Sequence, residues 1–149
     1  AHIVHTPTEA DVYAALGLPF IPPELRETGD EVGAVVPSLV TLADLRGVLH
    51  CHSHFSDGAG SIAELAREAQ RRGWSYLGVT DHSQSARMAG GLSADDVRRQ
   101  HDEIDAVNAG GPGVRILKGV EADILPCGRV DYPEAVLDRF DFVIASVHT

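Results

Sequence analysis

Leu49-His50-Cys51-His52-Ser53-His54-Phe55-Ser56-Asp57-Gly58 is the stretch on which the reading of this chain turns. The apolar run leading into it, Arg46 to His52, predicts a strand. Side chains alternate across a strand, so His50 and His52 fall on one face, where their imidazoles can meet one metal ion. Asp57 follows in a turn closed by Gly58, where a carboxylate can fold back over the strand end and join the two rings. Nitrogen and oxygen donors without thiolate suit zinc, manganese or iron. Taken alone, the His-x-His pair is equally well a surface strand that carries two histidines. Cys51, between them, points to the opposite face as a small apolar group under a helix. His54 is read as a turn residue outside the ligand set.

Working outward from this stretch, strand and helix signals alternate. Ser61 caps a helix through Ala63, Leu65, Ala66 and Ala69 to Gly73, with arginines near its end. A second strand runs from Tyr76 to Thr80. Ser93 caps a second helix, with Leu92 just ahead, Asp96 placed for a capping box, and Val97, Ile104 and Val107 on its buried face. Val114 to Ile124 predicts a third strand, Pro133 to Arg139 a short helix, and Phe142 to Val147 a fourth strand, apolar enough to be buried on both faces. Such alternation indicates a parallel α/β sheet, open or closed into a barrel. Asp81-His82 then closes the second strand, Glu121 lies near the end of the third and His148 closes the fourth. That is the rim where parallel sheets carry their sites. Four strands delivering ligand-type residues to one rim is a pattern that scattered histidines seldom make. His2, His5 and His101 have no such placement and read as surface residues.

The first 45 residues differ from the rest. Thr8-Glu9-Ala10-Asp11 predicts a capped helix start, Val12, Ala15 and Leu16 an apolar stripe, and Gly17 a stop. Leu18-Pro19-Phe20-Ile21-Pro22-Pro23 is extended by its prolines. Residues 24–36 show no period and read as a connector. With 149 residues the chain suffices for one domain with a core. It shows no transmembrane run and no signal peptide. Cys51 and Cys127 make neither a Cys-x-x-Cys motif nor a disulfide framework, which fits a reducing cytoplasm. Its 22 Asp and Glu against 12 Lys and Arg exclude a general nucleic-acid binder.

The combination Leu49-His50-x-His52-Ser53-x-x-Ser56-Asp57-Gly58, Thr80-Asp81-His82, Gly119-Val120-Glu121 and Ser146-Val147-His148 resembles the successive motifs of the PHP (polymerase and histidinol phosphatase) family. The resemblance spans Arg46 to Thr149. The loop Asp81-His82-Ser83-Gln84-Ser85 with Ala89-Gly90-Gly91-Leu92, and the leader from Glu9 to Arg26, are similar to the branch fused to bacterial family X DNA polymerases. This implies an α/β fold that is the N-terminal half of a distorted (β/α)7 barrel. The resemblance assigns residues 1–45 to a leader and linker from the nucleotidyl-transfer part, and residues 46–149 to the PHP phosphoesterase domain. It implies that His50, His52, Asp57, His82, Glu121 and His148 hold two or three divalent ions, manganese or zinc, with Glu121 bridging two. Magnesium would belong to the polymerase part outside this chain. DNA would be met through the full-length protein, and the leader would dock or space the neighbouring polymerase domain.

Clustered divalent ions activate water, neutralise phosphate oxygens and stabilise the leaving oxygen of an in-line displacement. In a DNA polymerase, the resemblance implies, such a site acts as a manganese-dependent 3′–5′ exonuclease or 3′-end phosphoesterase, declining as pH falls through the histidine range. A stand-alone histidinol-phosphatase-like enzyme and a non-catalytic, metal-braced module are the alternatives. Val48 replaces a common acidic residue and Cys51 a usual aliphatic, neither in a ligand position. The family's later histidine and Asp-x-His pair do not occur. A complete (β/α) barrel takes about 250 residues, so the expectation is a fragment of a longer polypeptide that alone binds metal weakly and is inactive.

Overall fold

The computed structural model describes residues 4–148, and the chain divides into two compact units between Leu42 and Ala43. His2 lies outside the described residues. In the first unit, α1 (Glu9–Ala15) starts at Thr8 with the cap that the sequence predicts, here a full capping box in which its hydroxyl and the Asp11 carboxylate satisfy each other's backbone N–H groups. Its stripe stays open: Val12 and Leu16 are both exposed. Arg26 does what the sequence does not reveal. Its guanidinium donates to the Ile21 carbonyl at 2.7 and 2.9 Å, pairs with Glu9 at 2.7 Å and lies over the Tyr13 and Phe20 rings, tying the proline stretch back to α1. The connector is locally ordered too. Backbone N–H groups of Thr28, Glu27 and Gly29 donate to the Glu31 carboxylate, holding its pKa down to about 2.

The second unit is strand-helix throughout, with β1 (Gly47–Val48), α2 (Ile62–Arg71), β2 (Tyr76–Val79), α3 (Ala94–Ala109), β3 (Arg115–Asp123), α4 (Glu134–Leu137) and β4 (Phe142–Ser146) in chain order. The four strands pair in parallel in the order β1-β2-β3-β4, giving a curled half-barrel sheet. Ser61 and Ser93 cap α2 and α3 through capping boxes with Glu64 and Asp96. One sheet face packs on the helices. Ile62, Ala66 and Ala69 of α2 and Ile104 of α3 bury against Leu77, Val79 and Ile116, and each large aliphatic side chain withdrawn from water contributes about 1.5–3 kcal/mol. A second cluster joins Val97, Val120, Ala122 and Tyr132, and Phe55 packs against both. On the other face, glycine makes room. A Cβ at Gly78 or Gly119 would meet the Phe142 ring at 2.7 or 2.5 Å, so the ring occupies space that any other residue would fill.

Three expectations need correction. The first strand is two residues, not seven, because the chain bends at Leu49 and leaves the ladder. It meets β2 again where the Thr80 N–H donates to the Cys51 carbonyl at 2.8 Å. Val48 and Cys51, three residues apart, both pack on the helix-side core, so the bend resets the alternation. Second, β4 is not buried on both faces: Val143 and Ala145 are exposed while Phe142, Ile144 and Ser146 are half-buried, because β4 is the edge of the described sheet. Third, His101 is not a surface residue. It is 8% exposed, stacks edge-on against Phe140 at 4.9 Å between centroids, and its Nε2 has no hydrogen-bond partner.

Burial, with Lys118 nearby, lowers the His101 pKa to about 4. The folded state thus resists a proton that the unfolded chain takes up near pH 6.5. Stability is unaffected by this residue above that pH and falls as pH drops from about 6.5 to about 4, by on the order of 3 kcal/mol. Since Nε2 has no partner to lose, His101→Phe is expected to flatten this acid limb in denaturant titrations at a series of pH values, without loss of stability at pH 8. An unchanged limb would show that another group governs it.

Candidate metal centre

The bend at Leu49 frees residues 50–57 from the sheet and lets them turn over the rim. Asp81, just beyond β2, holds that turn. Its buried carboxylate accepts from the Ser53 N–H at 2.7 Å and from the Ser53 hydroxyl, the Ser56 hydroxyl and the Gln100 amide at 2.5 Å each. One carboxylate thus links the 53–56 turn to α3. Gly58 closes the turn against the chain: a Cβ there would lie 2.2 Å from the His52 carbonyl oxygen. Asp57 is thereby brought to His52, its Oδ1 lying 2.7 Å from Nδ1, while Oδ2 lies 3.5 Å from His82 Nε2.

Glu121 is the centre of the arrangement. It stands in β3 on the face away from the helices, buried, with four imidazole nitrogens around its two oxygens. Oε2 lies 3.3 Å from His50 Nε2, 3.2 Å from His52 Nε2 and 3.3 Å from His82 Nδ1. Oε1 lies 3.4 Å from His148 Nε2. Three groups of donor atoms are close enough to share an ion: His50, His52 and Glu121; His52, Asp57 and His82; His82, Glu121 and His148. All six residues singled out in the sequence come together. His54 does not join them; it is exposed and packs on Phe55.

Two features show that this donor set suits cations. His82 Nδ1 is buried without a hydrogen-bond partner, because Glu121 Oε2, though 3.3 Å away, is poorly aligned with it. His50 Nε2 and His52 Nε2 face each other at 3.2 Å beside the same carboxylate oxygen. Converging nitrogen and oxygen lone pairs of this kind fit a hard or borderline divalent ion, and no thiolate is among them. The carboxyls are poised as anions. Burial works to raise Glu121, but hydrogen bonds from Ser146 and His50 outweigh it and leave its pKa lowered. Asp57 is lowered by its hydrogen bond with His52.

Asp123 is a residue of this site that the sequence reading missed. Its Oδ1 lies 2.5 Å from His148 Nδ1, which leaves Nε2 toward Glu121, and its Oδ2 accepts from the Ser85 hydroxyl at 2.6 Å. The hydrogen bond to Asp123 raises the His148 pKa. A carboxylate on the distal nitrogen of a ligand-type histidine fixes the ring and its tautomer. The available signal was the spacing: Glu121 and Asp123 are two apart in one strand and share its face.

With this geometry in place, comparison with known proteins is informative. Residues 49–149 match the PHP domain family. The chain belongs to that family. Residues 1–27 match the DNA polymerase beta thumb. The DNA polymerase/3'-5' exonuclease PolX of Bacillus subtilis is 50% identical over 145 residues, 96% of this chain and 25% of that protein. Probable phosphatases of Caldanaerobacter subterraneus and Acetivibrio thermocellus are 39% and 40% identical over 108 and 101 residues, 70% and 66% of this chain and 40% and 39% of theirs. The chain spans a quarter to two fifths of these relatives' length. The likeness to PolX covers 96% of the chain, whereas the likeness to the phosphatases covers about two thirds of it.

The Asp81 network carries a test. Asp81→Asn replaces one acceptor oxygen by a donor facing hydroxyl and amide groups that already donate. It is expected to destabilise the protein by about 1–3 kcal/mol and to loosen the 53–57 turn. Thermal unfolding and hydrogen exchange of the Ser53 and Ser56 amides measure both; exchange rates equal to wild type would mean that Asp81 does not hold the turn.

Proposed function

We propose that this chain is part of a DNA repair polymerase of family X and that its PHP domain is a divalent-metal-dependent phosphoesterase acting at the 3′ end of DNA. On this reading residues 1–45 are the leader and linker from the nucleotidyl-transfer part. Residues 46–149 are the N-terminal portion of a (β/α)7 PHP barrel in a cytoplasmic protein. The observation that carries the proposal is the convergence of His50, His52, His82 and His148 on the two oxygens of Glu121, with Asp57 closing the group. Similarity to PolX over 96% of the chain supports the polymerase parent.

His50, His52, Asp57, His82, Glu121 and His148 would hold two or three divalent cations, manganese or zinc. When bound, such ions supply an activated water and neutralise charge on the phosphate. Glu121 is suited to bridging because its oxygens face different histidines, three on Oε2 and one on Oε1. The histidines bind only when neutral, while Glu121 and Asp57, both with lowered pKa, stay anionic. Asp81 holds the Asp57 turn and Asp123 orients His148, so neither ring nor carboxylate must be ordered when phosphate arrives. A small-molecule phosphatase is the second reading, favoured by the phosphatase relatives of the PHP part. It gives no role to the leader.

Elemental analysis and a 3′-labelled oligonucleotide assay test the proposal together. The full-length wild-type protein is expected to bind at least one divalent ion and to cleave with manganese, with activity abolished by chelator, whereas residues 1–149 alone are expected to bind metal weakly and cleave little. His52→Ala and Glu121→Gln are each expected to lower metal content and to reduce cleavage by about 100-fold or more. Equal metal content in wild type and both variants would sink the assignment.

A further inference from the structure

Asp131 is a buried carboxylate, 4% exposed, with no place among the six candidate ligands. Its hydrogen bonds tie it to the loop after β2. Oδ1 accepts from the Gln84 amide at 3.1 Å and from the Tyr132 N–H at 2.9 Å, and Oδ2 accepts from the Ser85 N–H at 2.9 Å. The Asp131 N–H donates to the Asp123 carbonyl at 2.8 Å, and the Ser85 hydroxyl donates to the Asp123 carboxylate at 2.6 Å. These bonds close a ring through Asp131, Ser85 and Asp123. Tyr132 holds it from behind. Its φ of +81° is a left-handed backbone that a bulky residue adopts only where its surroundings fix it, and its hydroxyl donates to the Leu92 carbonyl at the far end of the same loop. Ser85 itself is exposed on the inner wall of a cavity of about 500 Å³, which it shares with His82, Asp123 and His148, while Met88 and Ala89 stand on the outer wall.

We propose that Ser85, aimed by Asp131, is a positioning residue of the metal centre. By occupying Asp123 Oδ2 it leaves Oδ1 to the Nδ1–H of His148, and a neutral imidazole whose Nδ1 donates carries its lone pair on Nε2, the nitrogen that faces Glu121. The proposal rests on the metal-dependent reading above and adds to it two residues that hold no ion. His148 needs this help because its side chain is 40% exposed and lies past the end of β4, so packing alone does not set its ring. A carboxylate with one oxygen unengaged can swing about its Cβ–Cγ bond; with Oδ2 taken, one orientation remains. The loop does not need the Ser85 hydroxyl. Backbone bonds from Ser83 to Glu121 and from Leu92 to His82, with that from the Ser85 N–H to Asp131, already fix it. An exposed hydroxyl that could bond water instead is thus spent on Asp123, and its effect falls on His148.

The test is manganese binding by the full-length protein, stripped with chelator and read from the electron paramagnetic resonance signal of the free ion, with Tm followed alongside. Ser85→Ala removes one hydroxyl at an exposed position, and is expected to weaken binding about tenfold or more with Tm unchanged. Ser85→Thr, which keeps the hydroxyl, is expected to bind as the wild type does. Asp131→Asn is expected to weaken binding as well, and to weaken it no further in Ser85→Ala protein, because it acts through Ser85. Binding by Ser85→Ala equal to wild type, or an equal loss in Ser85→Thr, overturns the inference and leaves the metal centre standing. Losses from Asp131→Asn and Ser85→Ala that simply add overturn the part given to Asp131. Wild type and His52→Ala alike in manganese binding overturn the metal-dependent reading, and the inference with it.

Discussion

A carboxylate inside a protein is costly unless charge and hydrogen bonds surround it, and Glu121 places one on the concave face of the sheet. The surroundings that offset this cost come from everywhere except β3 itself. His50 and His52 arrive from the end of β1, His82 from the end of β2, and His148 from the end of β4. Only a parallel sheet brings three strand ends to one rim beside a fourth. The apolar layer beneath the helices, the glycines that admit Phe142 and the turn folded over by Gly58 all serve to hold that rim in shape. Removing the imidazoles would leave a buried anion without compensation, so the fold and the candidate site are energetically coupled.

The same device recurs one layer out. Asp81 gathers two serines and Gln100, and Asp123 gathers His148 and Ser85. In each case a carboxylate joins a loop that bears site residues to a regular element. Loops are where backbone order is weakest, so fixing them through buried, charge-assisted hydrogen bonds spares the site the entropy of ordering at the moment of binding. Gln100 shows the limit of this economy, since its Oε1 is buried without a partner while its amide serves Asp81.

What the sequence revealed followed from local rules. Helix caps at Thr8, Ser61 and Ser93 and the two apolar helix faces were legible because each depends on spacing of a few residues, while the six ligand-type residues were legible from their places at strand ends and from the resemblance to the PHP family. What it hid depends on contacts across the fold. The bend at Leu49 is set by how the turn must cross the rim, not by propensity, and it shortened the strand without moving His50 and His52 apart. The burial of His101 depends on Phe140, 39 positions away, and nothing within α3 announces it. Arg26 lies over Tyr13 and pairs with Glu9, 17 positions away, a contact that no local pattern announces.

On the proposed reading a metal centre alone could not choose among phosphoesters, because the phosphate is common to all of them. Ions held by these imidazoles and carboxylates would face the same phosphate oxygens whether the ester carried a nucleoside or a small alcohol, so binding there would be nearly uniform across substrates. Discrimination has to come from surface beyond the phosphate, and it is larger where a site leaves a wrong ligand's polar group unpaired than where it merely adds apolar area. At this rim the one lining carboxylate is committed to His148 and Ser85, and the outer wall is methionine and alanine. A PHP domain similar both to PolX and to probable phosphatases can therefore differ from its relatives in substrate through a few residues of one loop, with the ion-binding face unaltered.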